Sequence, residues 1–197
     1  MRPIDHIYVH CTATVEGKHY TVDDIRGWHV TGNGWSDIGY HKVIYLDGSV
    51  HDGRPESQVG AHVADHNTGS LGLVYVGGVD SSGRAKDTRT TDQRASLLAQ
   101  VKAWQAQYNV PTENVLGHYE VANKACPSFD MDTFRAELAG DVQVIPPAGA
   151  SVYEALPTIG GNNSKGEIQQ LQRIIGVNPD GFIGADTYRA LDKYLSK

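Results

Sequence analysis

Strand-like segments that alternate with helix-like segments are the feature that most constrains how this chain folds. Residues 4–10 and 71–76 are mostly apolar and rich in β-forming residues, which is typical of buried strands. Residues 41–51 place an Asp-Gly pair between two short runs of this kind, a pattern that predicts a β-hairpin. Residues 92–108 carry apolar side chains at helical spacing, with Thr91 as the predicted N-cap. This alternation predicts an α/β domain with a central mixed β-sheet flanked by helices.

The composition changes near residue 140, where Pro, Gly and small polar residues become frequent. Such a stretch suits a linker between two folded parts. Two apolar stripes at helical spacing follow it and predict a pair of short helices, which bury little apolar surface by themselves. The sequence therefore predicts a first domain at residues 1–139, a linker at 140–151 and a small all-helical module at 152–197.

Charge and hydropathy argue against two broad classes of partner. The formal net charge of -6 disfavours a nucleic-acid-binding protein that depends on phosphate neutralisation. No apolar run approaches the roughly 20 residues that span a bilayer. The N-terminal stretch MRPIDHIYVH lacks the basic and apolar segments of a secretory signal. We therefore expect no nucleic-acid or membrane partner, and we expect the chain to stay in the reducing cytosol of the cell that makes it.

The chain has two cysteines, Cys11 and Cys126. A reducing compartment disfavours a disulfide between them. Cys11 follows His10 on the same predicted strand, so if His10 points into a cleft, Cys11 points away from it. We therefore interpret Cys11 as a small buried thiol. Cys126 is either a structural cysteine or a metal ligand.

Two of the nine histidines stand out by position. His10 lies where a predicted strand ends, and His118 follows a glycine at the end of another short strand, with Cys126 eight residues later. Two imidazoles and one thiolate suit Zn²⁺ and leave a fourth position open for water. The sequence contains neither a CxxC nor an HExxH pattern, so these residues alone leave a zinc site and a structural cysteine as equal alternatives.

Amide hydrolysis at such a metal also needs groups that stabilise the developing oxyanion and move a proton. Lys124, two residues before Cys126, is one candidate. Tyr40, which follows the Gly-rich segment 32–39, is another. Taken by themselves, the residues favour ordinary roles for both, an exposed lysine and a tyrosine that begins a strand.

Six segments together resemble the zinc-dependent N-acetylmuramoyl-L-alanine amidases of the type-2 amidase and peptidoglycan-recognition superfamily, and within it the phage endolysins of the T7 lysozyme type. They are IYVHCTAT (7–14), IRGWH (25–29), GWSDIGYHKVI (34–44), DGSVHDGRP (47–55), VGAHVADHNTGSLGLVYVGG (59–78) and GHYEVANKACPSFD (117–130). They lie in order and cover most of residues 4–138. The resemblance implies a mixed sheet flanked by helices, with the metal at the floor of an open groove.

The resemblance also implies the chemistry of the site. His10, His118 and Cys126 match the positions that hold one Zn²⁺ per chain in the family. Tyr40 and Lys124 match the catalytic pair that assists the attack of zinc-bound water on the lactyl–L-alanine amide.

Three further residues match positions near the groove of the family. They are His62, Asn67 and Arg54. The resemblance implies that they contact the peptide part of the substrate.

The predicted function is that of an endolysin, a monomer that cuts the stem peptide of bacterial peptidoglycan from N-acetylmuramic acid after host lysis. Residues 152–197 resemble a small helical peptidoglycan-binding module, which would target the cell wall, and the alternative is a helical extension packed on the first domain. Relatives of the phage type usually lack such a tail. Two other functions stay open: a cytosolic amidase that recycles muropeptides, and a non-catalytic peptidoglycan-recognition protein, whose members characteristically lack the ligand cysteine.

Overall fold

The computed structural model describes residues 2–140, so the predicted module at 152–197 and all but the first residue of the predicted linker lie outside the described part. The strands of this part are β1 (His6–Cys11), β2 (Thr14–Val15), β3 (Lys42–Ile44), β4 (Val50–Asp52), β5 (Ser70–Tyr75), β6 (Gly78–Val79) and β7 (Val115–Gly117). The α-helices are α1 (Val22–Gly27), α2 (Thr91–Tyr108) and α3 (Met131–Ala139). Three shorter helical segments, one π-helical and two 3₁₀, cover Trp28–Gly32, Thr112–Asn114 and His118–Glu120.

Five strands form one mixed sheet in the order β4-β3-β5-β1-β7, which confirms the predicted architecture. β1 lies parallel to both of its neighbours, β5 and β7, and β3 is parallel to β5. β4 is antiparallel to β3 and completes the predicted hairpin. In its turn, Gly48 has φ 80°, a left-handed conformation that glycine adopts without steric cost. β2 and β6 form a small second sheet. Its strands have only two residues each, so the sequence shows no periodicity that would predict them.

Helices cover both faces of the main sheet. On one face, α2 buries Leu97, Val101 and Trp104 in a core that also contains the odd-numbered residues of β1. Side chains of this size contribute roughly 1.5–3 kcal/mol each when fully buried. On the other face, Ile25 of α1 belongs to a second core with Val74 of β5. The even-numbered residues of β1 share this second face, because successive side chains alternate across a strand.

Helix α2 begins one residue earlier than the sequence pattern predicted, with Thr90 and not Thr91 as its N-cap. The Thr90 hydroxyl accepts a hydrogen bond from the Gln93 backbone N–H at 3.0 Å, and the Gln93 side-chain oxygen accepts one from the Thr90 N–H at 3.0 Å. This reciprocal capping box pairs two donors at the helix start. Thr91 has Arg94 three residues on, which offers no acceptor. None of the helices between residues 2 and 140 has the length and apolar character needed to cross a bilayer.

Candidate metal centre

The three residues that the sequence singled out as metal ligands lie together. His10 is next to last in β1, His118 begins the 3₁₀ segment that follows β7, and Cys126 lies in the loop before α3. One potential ligand atom from each lies within 4.8 Å of the others. Parallel pairing of β1 with β7, which aligns Val9 with Gly117, brings the two histidines to the same edge of the sheet. Their ring centroids are 4.9 Å apart.

Cys126 is held against the end of β1 by its loop. Its sulfur lies 3.6 Å from Nδ1 of His10 and accepts a hydrogen bond from the backbone N–H of Cys11 at 3.2 Å. The backbone N–H of Tyr119 donates to the Cys126 carbonyl at 2.8 Å, which closes the loop 118–126. The side chain of Cys126 therefore faces His10 and His118.

The protonation states of the imidazoles suit a bound cation. Burial lowers the pKa of His10 well below 6.5, and the neighbouring His62 and His118 add to the effect. Burial, and then the charge of Lys124, also lower the pKa of His118. Both rings are therefore neutral near pH 7, and the neutral ring is the form that binds a metal.

The Cys126 thiol needs a cation to ionise. A side-chain hydrogen bond with Cys11, and then burial, raise the pKa of Cys126. A metal ion inverts this balance, because a coordinating thiol is deprotonated. Two neutral imidazoles and one thiol that ionises on binding form a donor set that fits a transition metal such as Zn²⁺.

The structure brings Tyr40 to the candidate ligands. Its ring centroid lies 5.2 Å from that of His10. Burial, and then the neighbouring Cys126 and Cys11, raise the pKa of Tyr40 above 10. The phenol therefore stays protonated at neutral pH and can donate a hydrogen bond. Lys124 is exposed on the loop that carries Cys126.

Arg54 and Asn67 make contacts that shape loops around the site. The Arg54 guanidinium donates to the carbonyls of Ile38, Val59 and Asp37 at 2.9, 2.7 and 3.2 Å. Asn67 Oδ1 accepts from the backbone N–H groups of His62 and Val63 at 2.8 and 3.0 Å. Contact with substrate at Arg54 and Asn67 stays a prediction, and the structure gives each a second role in holding a loop.

His62 lies beneath the centre and is only 7% exposed. Its Nδ1 is 3.3 Å from Nε2 of His10. Substrate contact at His62 also stays a prediction, but the small exposed fraction leaves little of its side chain for a ligand to touch.

Two histidines near the centre were not singled out by the sequence patterns. The ring of His29 lies 5.3 Å from Tyr40 and 4.8 Å from Trp35, and its Nδ1 accepts from the Gly39 N–H at 3.0 Å. His41 is buried beside His62, with ring centroids 5.6 Å apart. Both belong to segments that resemble the amidase family, so that resemblance was the signal that could have found them.

Comparison with known proteins agrees with this geometry. The sequence profile of the N-acetylmuramoyl-L-alanine amidase family matches residues 1–129. The endolysin of Escherichia phage T7 is 42% identical over 127 residues, which cover 64% of this chain and 82% of that protein. The endolysin of Enterobacteria phage K11 is 40% identical over 124 residues, which cover 63% of this chain and 80% of that protein.

The fold of the chain is also similar to that of a solved amidase structure. N-acetylmuramoyl-L-alanine amidase LysC from Clostridium intestinale URNW superposes with a TM-score of 0.59 at 28% identity, over 70% of this chain and 87% of that one. The chain therefore belongs to the N-acetylmuramoyl-L-alanine amidase family.

Proposed function

We propose that this endolysin-type peptidoglycan amidase uses one Zn²⁺, held by His10, His118 and Cys126, to cleave the amide between N-acetylmuramic acid and L-alanine. The observation that carries the proposal is the approach of three ligand atoms within 4.8 Å in a chain of the amidase family. Non-catalytic recognition of peptidoglycan is disfavoured because Cys126 lies beside both histidines.

The protein supplies the neutral imidazoles and holds the sulfur in place. When bound, Zn²⁺ supplies Lewis acidity that polarises a carbonyl and activates water near neutral pH. The Cys11 backbone N–H, 3.2 Å from the Cys126 sulfur, stabilises the thiolate form through a charge-assisted hydrogen bond.

Tyr40 and Lys124 would act on the substrate itself. The protonated Tyr40 phenol lies beside His10 and can donate to the oxygen that becomes negative as the amide is attacked. Lys124 carries a positive charge on the loop of Cys126, where it can stabilise the same charge or give a proton to the leaving amine.

We extend the proposal to the whole chain. Residues 1–139 would form the catalytic domain, 140–151 a linker and 152–197 a module that binds the cell wall. The protein would act as a monomer on bacterial peptidoglycan after release from the host cytoplasm, and the similarity to phage endolysins supports action on the cell wall.

Release of alanine ends from isolated peptidoglycan tests the reaction. The wild-type protein should generate new N-terminal L-alanine without new reducing sugar ends, and a chelator should stop it. Cys126→Ser should abolish both activity and bound zinc, whereas Lys18→Gln, a control at an exposed lysine, should keep both. Undiminished alanine release by Cys126→Ser, or by the chelated enzyme, would show that the zinc mechanism is wrong.

Pelleting with peptidoglycan tests the proposed module. The full chain should sediment with isolated cell walls to a greater extent than a chain that ends at Gly140. Equal sedimentation of the two would remove the targeting role of residues 152–197.

A further inference from the structure

His10 presents its two ring nitrogens to different neighbours. Nδ1 faces the candidate metal centre, 3.6 Å from the Cys126 sulfur, and Nε2 lies 3.3 Å from Nδ1 of His62. A histidine that gives Nδ1 to a metal carries its proton on Nε2 and donates it to an acceptor behind the ring. His62 Nδ1 is placed to be that acceptor.

Two glycines, Gly60 and Gly72, leave the space that the His62 ring occupies. A Cβ atom at Gly72 would lie 2.5 Å from the Cγ and Cδ2 atoms of His62, and one at Gly60 would lie 2.5 Å from Cδ2. Real Cβ atoms essentially never approach so closely, so a larger residue at either position would displace the ring. Gly72 is an interior residue of β5, where a glycine often marks the close approach of another group.

Two further contacts hold His62 in this place. Asn67 fixes the His62 backbone through the hydrogen bond to its N–H at 2.8 Å. The His41 ring packs edge-on against His62 and is itself fixed, because its Nδ1 accepts from the Gly72 N–H at 2.9 Å. Asn67 therefore holds the backbone of His62, and His41 packs against its ring.

In the described part of the chain, the other ring nitrogen of His62, Nε2, lacks the hydrogen bond that buried polar atoms usually make. This atom is buried and has no hydrogen-bond partner among residues 2–140. Buried polar atoms are nearly always paired, so an unpaired one calls for an explanation. If Nδ1 is committed as an acceptor for His10, the proton of the neutral ring is on Nε2, which is then left unpaired.

We propose that His62 is a positioning residue that accepts a hydrogen bond from Nε2 of His10 and so holds His10 with Nδ1 towards the metal. The inference rests on the proposed function, because it requires a metal at His10, His118 and Cys126. It differs from the substrate contact that the family resemblance implied for His62. A positioning residue changes metal affinity, whereas a substrate contact changes KM.

Two conservative substitutions separate the two nitrogens of His62. His62→Asn places an amide oxygen near the position of Nδ1 and keeps the acceptor for His10. His62→Gln places its amide group near the position of Nε2 and removes that acceptor. His66→Ala is the control, because His66 is an exposed histidine in the same loop.

The readouts are the zinc dissociation constant, from competition with a chromophoric chelator, and the visible spectrum of the Co²⁺-substituted protein. We expect His62→Gln to weaken zinc binding by about 10–100-fold, the usual effect of losing such a partner, and to shift the Co²⁺ bands. His62→Asn should bind zinc nearly as tightly as wild type, and His66→Ala should match it. Thermal unfolding of each metal-free variant shows that it is folded before it is compared.

The outcomes distinguish this inference from the proposed function. If wild type binds zinc and Cys126→Ser does not, but His62→Gln binds as tightly as wild type, the positioning role of His62 is wrong and the zinc site stands. Equal losses of zinc affinity in His62→Asn and His62→Gln also contradict the positioning role. So does a His62→Gln protein with a raised KM and unchanged zinc affinity. If wild type binds no zinc, the proposed function fails first.

Discussion

The backbone N–H of Cys11 donates a hydrogen bond to the sulfur of Cys126 at 3.2 Å. The end of β1 therefore contributes twice to the candidate metal centre, through the side chain of His10 and through the backbone of the next residue. Both cysteines are free thiols in the structure. The contact uses a backbone group of Cys11, and the Cys11 side chain lies in the core that α2 covers, against which Cys126 also packs.

Removal of the metal should lower thermal stability. A ligand that binds only the folded state stabilises it by about 4 kcal/mol when its concentration is 1,000 times its Kd. For a domain of this size, that corresponds to roughly 10 °C in Tm. Calorimetry with zinc and with excess chelator should show this difference for wild type and none for Cys126→Ser. An equal shift in Cys126→Ser would place the stabilising metal elsewhere.

Tyr40→Phe should lower kcat without loss of zinc. The substitution removes the hydroxyl but keeps the ring beside His10, so the metal centre should be intact. Loss of one donor to a developing oxyanion costs roughly 10²–10³-fold in kcat. Tyr20→Phe is the control, because the Tyr20 ring packs against Trp28. A Tyr40→Phe enzyme with wild-type kcat would remove the phenol from the mechanism.

Lys124→Gln tests the other member of the catalytic pair. Lys124 is exposed, so the substitution should leave the fold and the zinc content unchanged. We expect kcat to fall by about 10²-fold, the usual contribution of a group that transfers a proton. Lys18→Gln, also at an exposed lysine, should keep full activity. Equal rates for the two variants would contradict a catalytic role for Lys124.

Local patterns were enough to predict most of the fold, because they record which side chains are buried. The periodicity in β1, β5 and α2 appears in the structure within two residues of its predicted bounds. The pairing of β2 with β6 could not be predicted, since two residues have no period. The position of His10 at a strand end was a useful signal, whereas the role of Cys126 depended on the resemblance to the amidase family.

The surroundings of His62 depend on contacts between distant segments. The sequence places His62 ten residues before Gly72, and nothing in that spacing shows that the ring lies against the glycine. Only the pairing of β5 with β1, which aligns Tyr8 with Gly72, brings that part of the sheet close to His10. A glycine within an otherwise apolar strand was the one local signal of a close approach.

The metal-free protein should lose stability as the pH falls from about 6.5 to about 4, because burial lowers the pKa of His41 from 6.5 to about 4. Protonation would also put a hydrogen on Nδ1, to which the Gly72 N–H already donates. Between these values the unfolded chain binds the proton and the folded chain does not, so the free energy of unfolding decreases with falling pH. The largest change from this residue is about 3 kcal/mol.

Urea unfolding at pH 7, 5.5 and 4 measures this effect in the metal-free Cys126→Ser protein. Adding His41→Asn removes the ionisation but keeps an acceptor near Nδ1. The pH dependence should become shallower and should not vanish, because burial also lowers the pKa of His10 and His62. If the free energy of unfolding changes equally with pH with and without His41→Asn, the pKa of His41 is not lowered in the folded state.

Gly72→Ala should weaken zinc binding although residue 72 contacts no metal ligand in the proposed site. The added methyl group would meet the His62 ring at 2.5 Å, so the ring must shift from its position beside His10. Overpacking of this kind costs roughly 1–3 kcal/mol, so Tm should fall together with zinc affinity. Gly27→Ala is the matched control, because a Cβ atom there meets nothing within 4 Å and alanine favours the last turn of α1. Zinc titration and thermal unfolding of the two variants check the prediction, and wild-type zinc affinity in a folded Gly72→Ala protein would show that the centre does not depend on the position of His62.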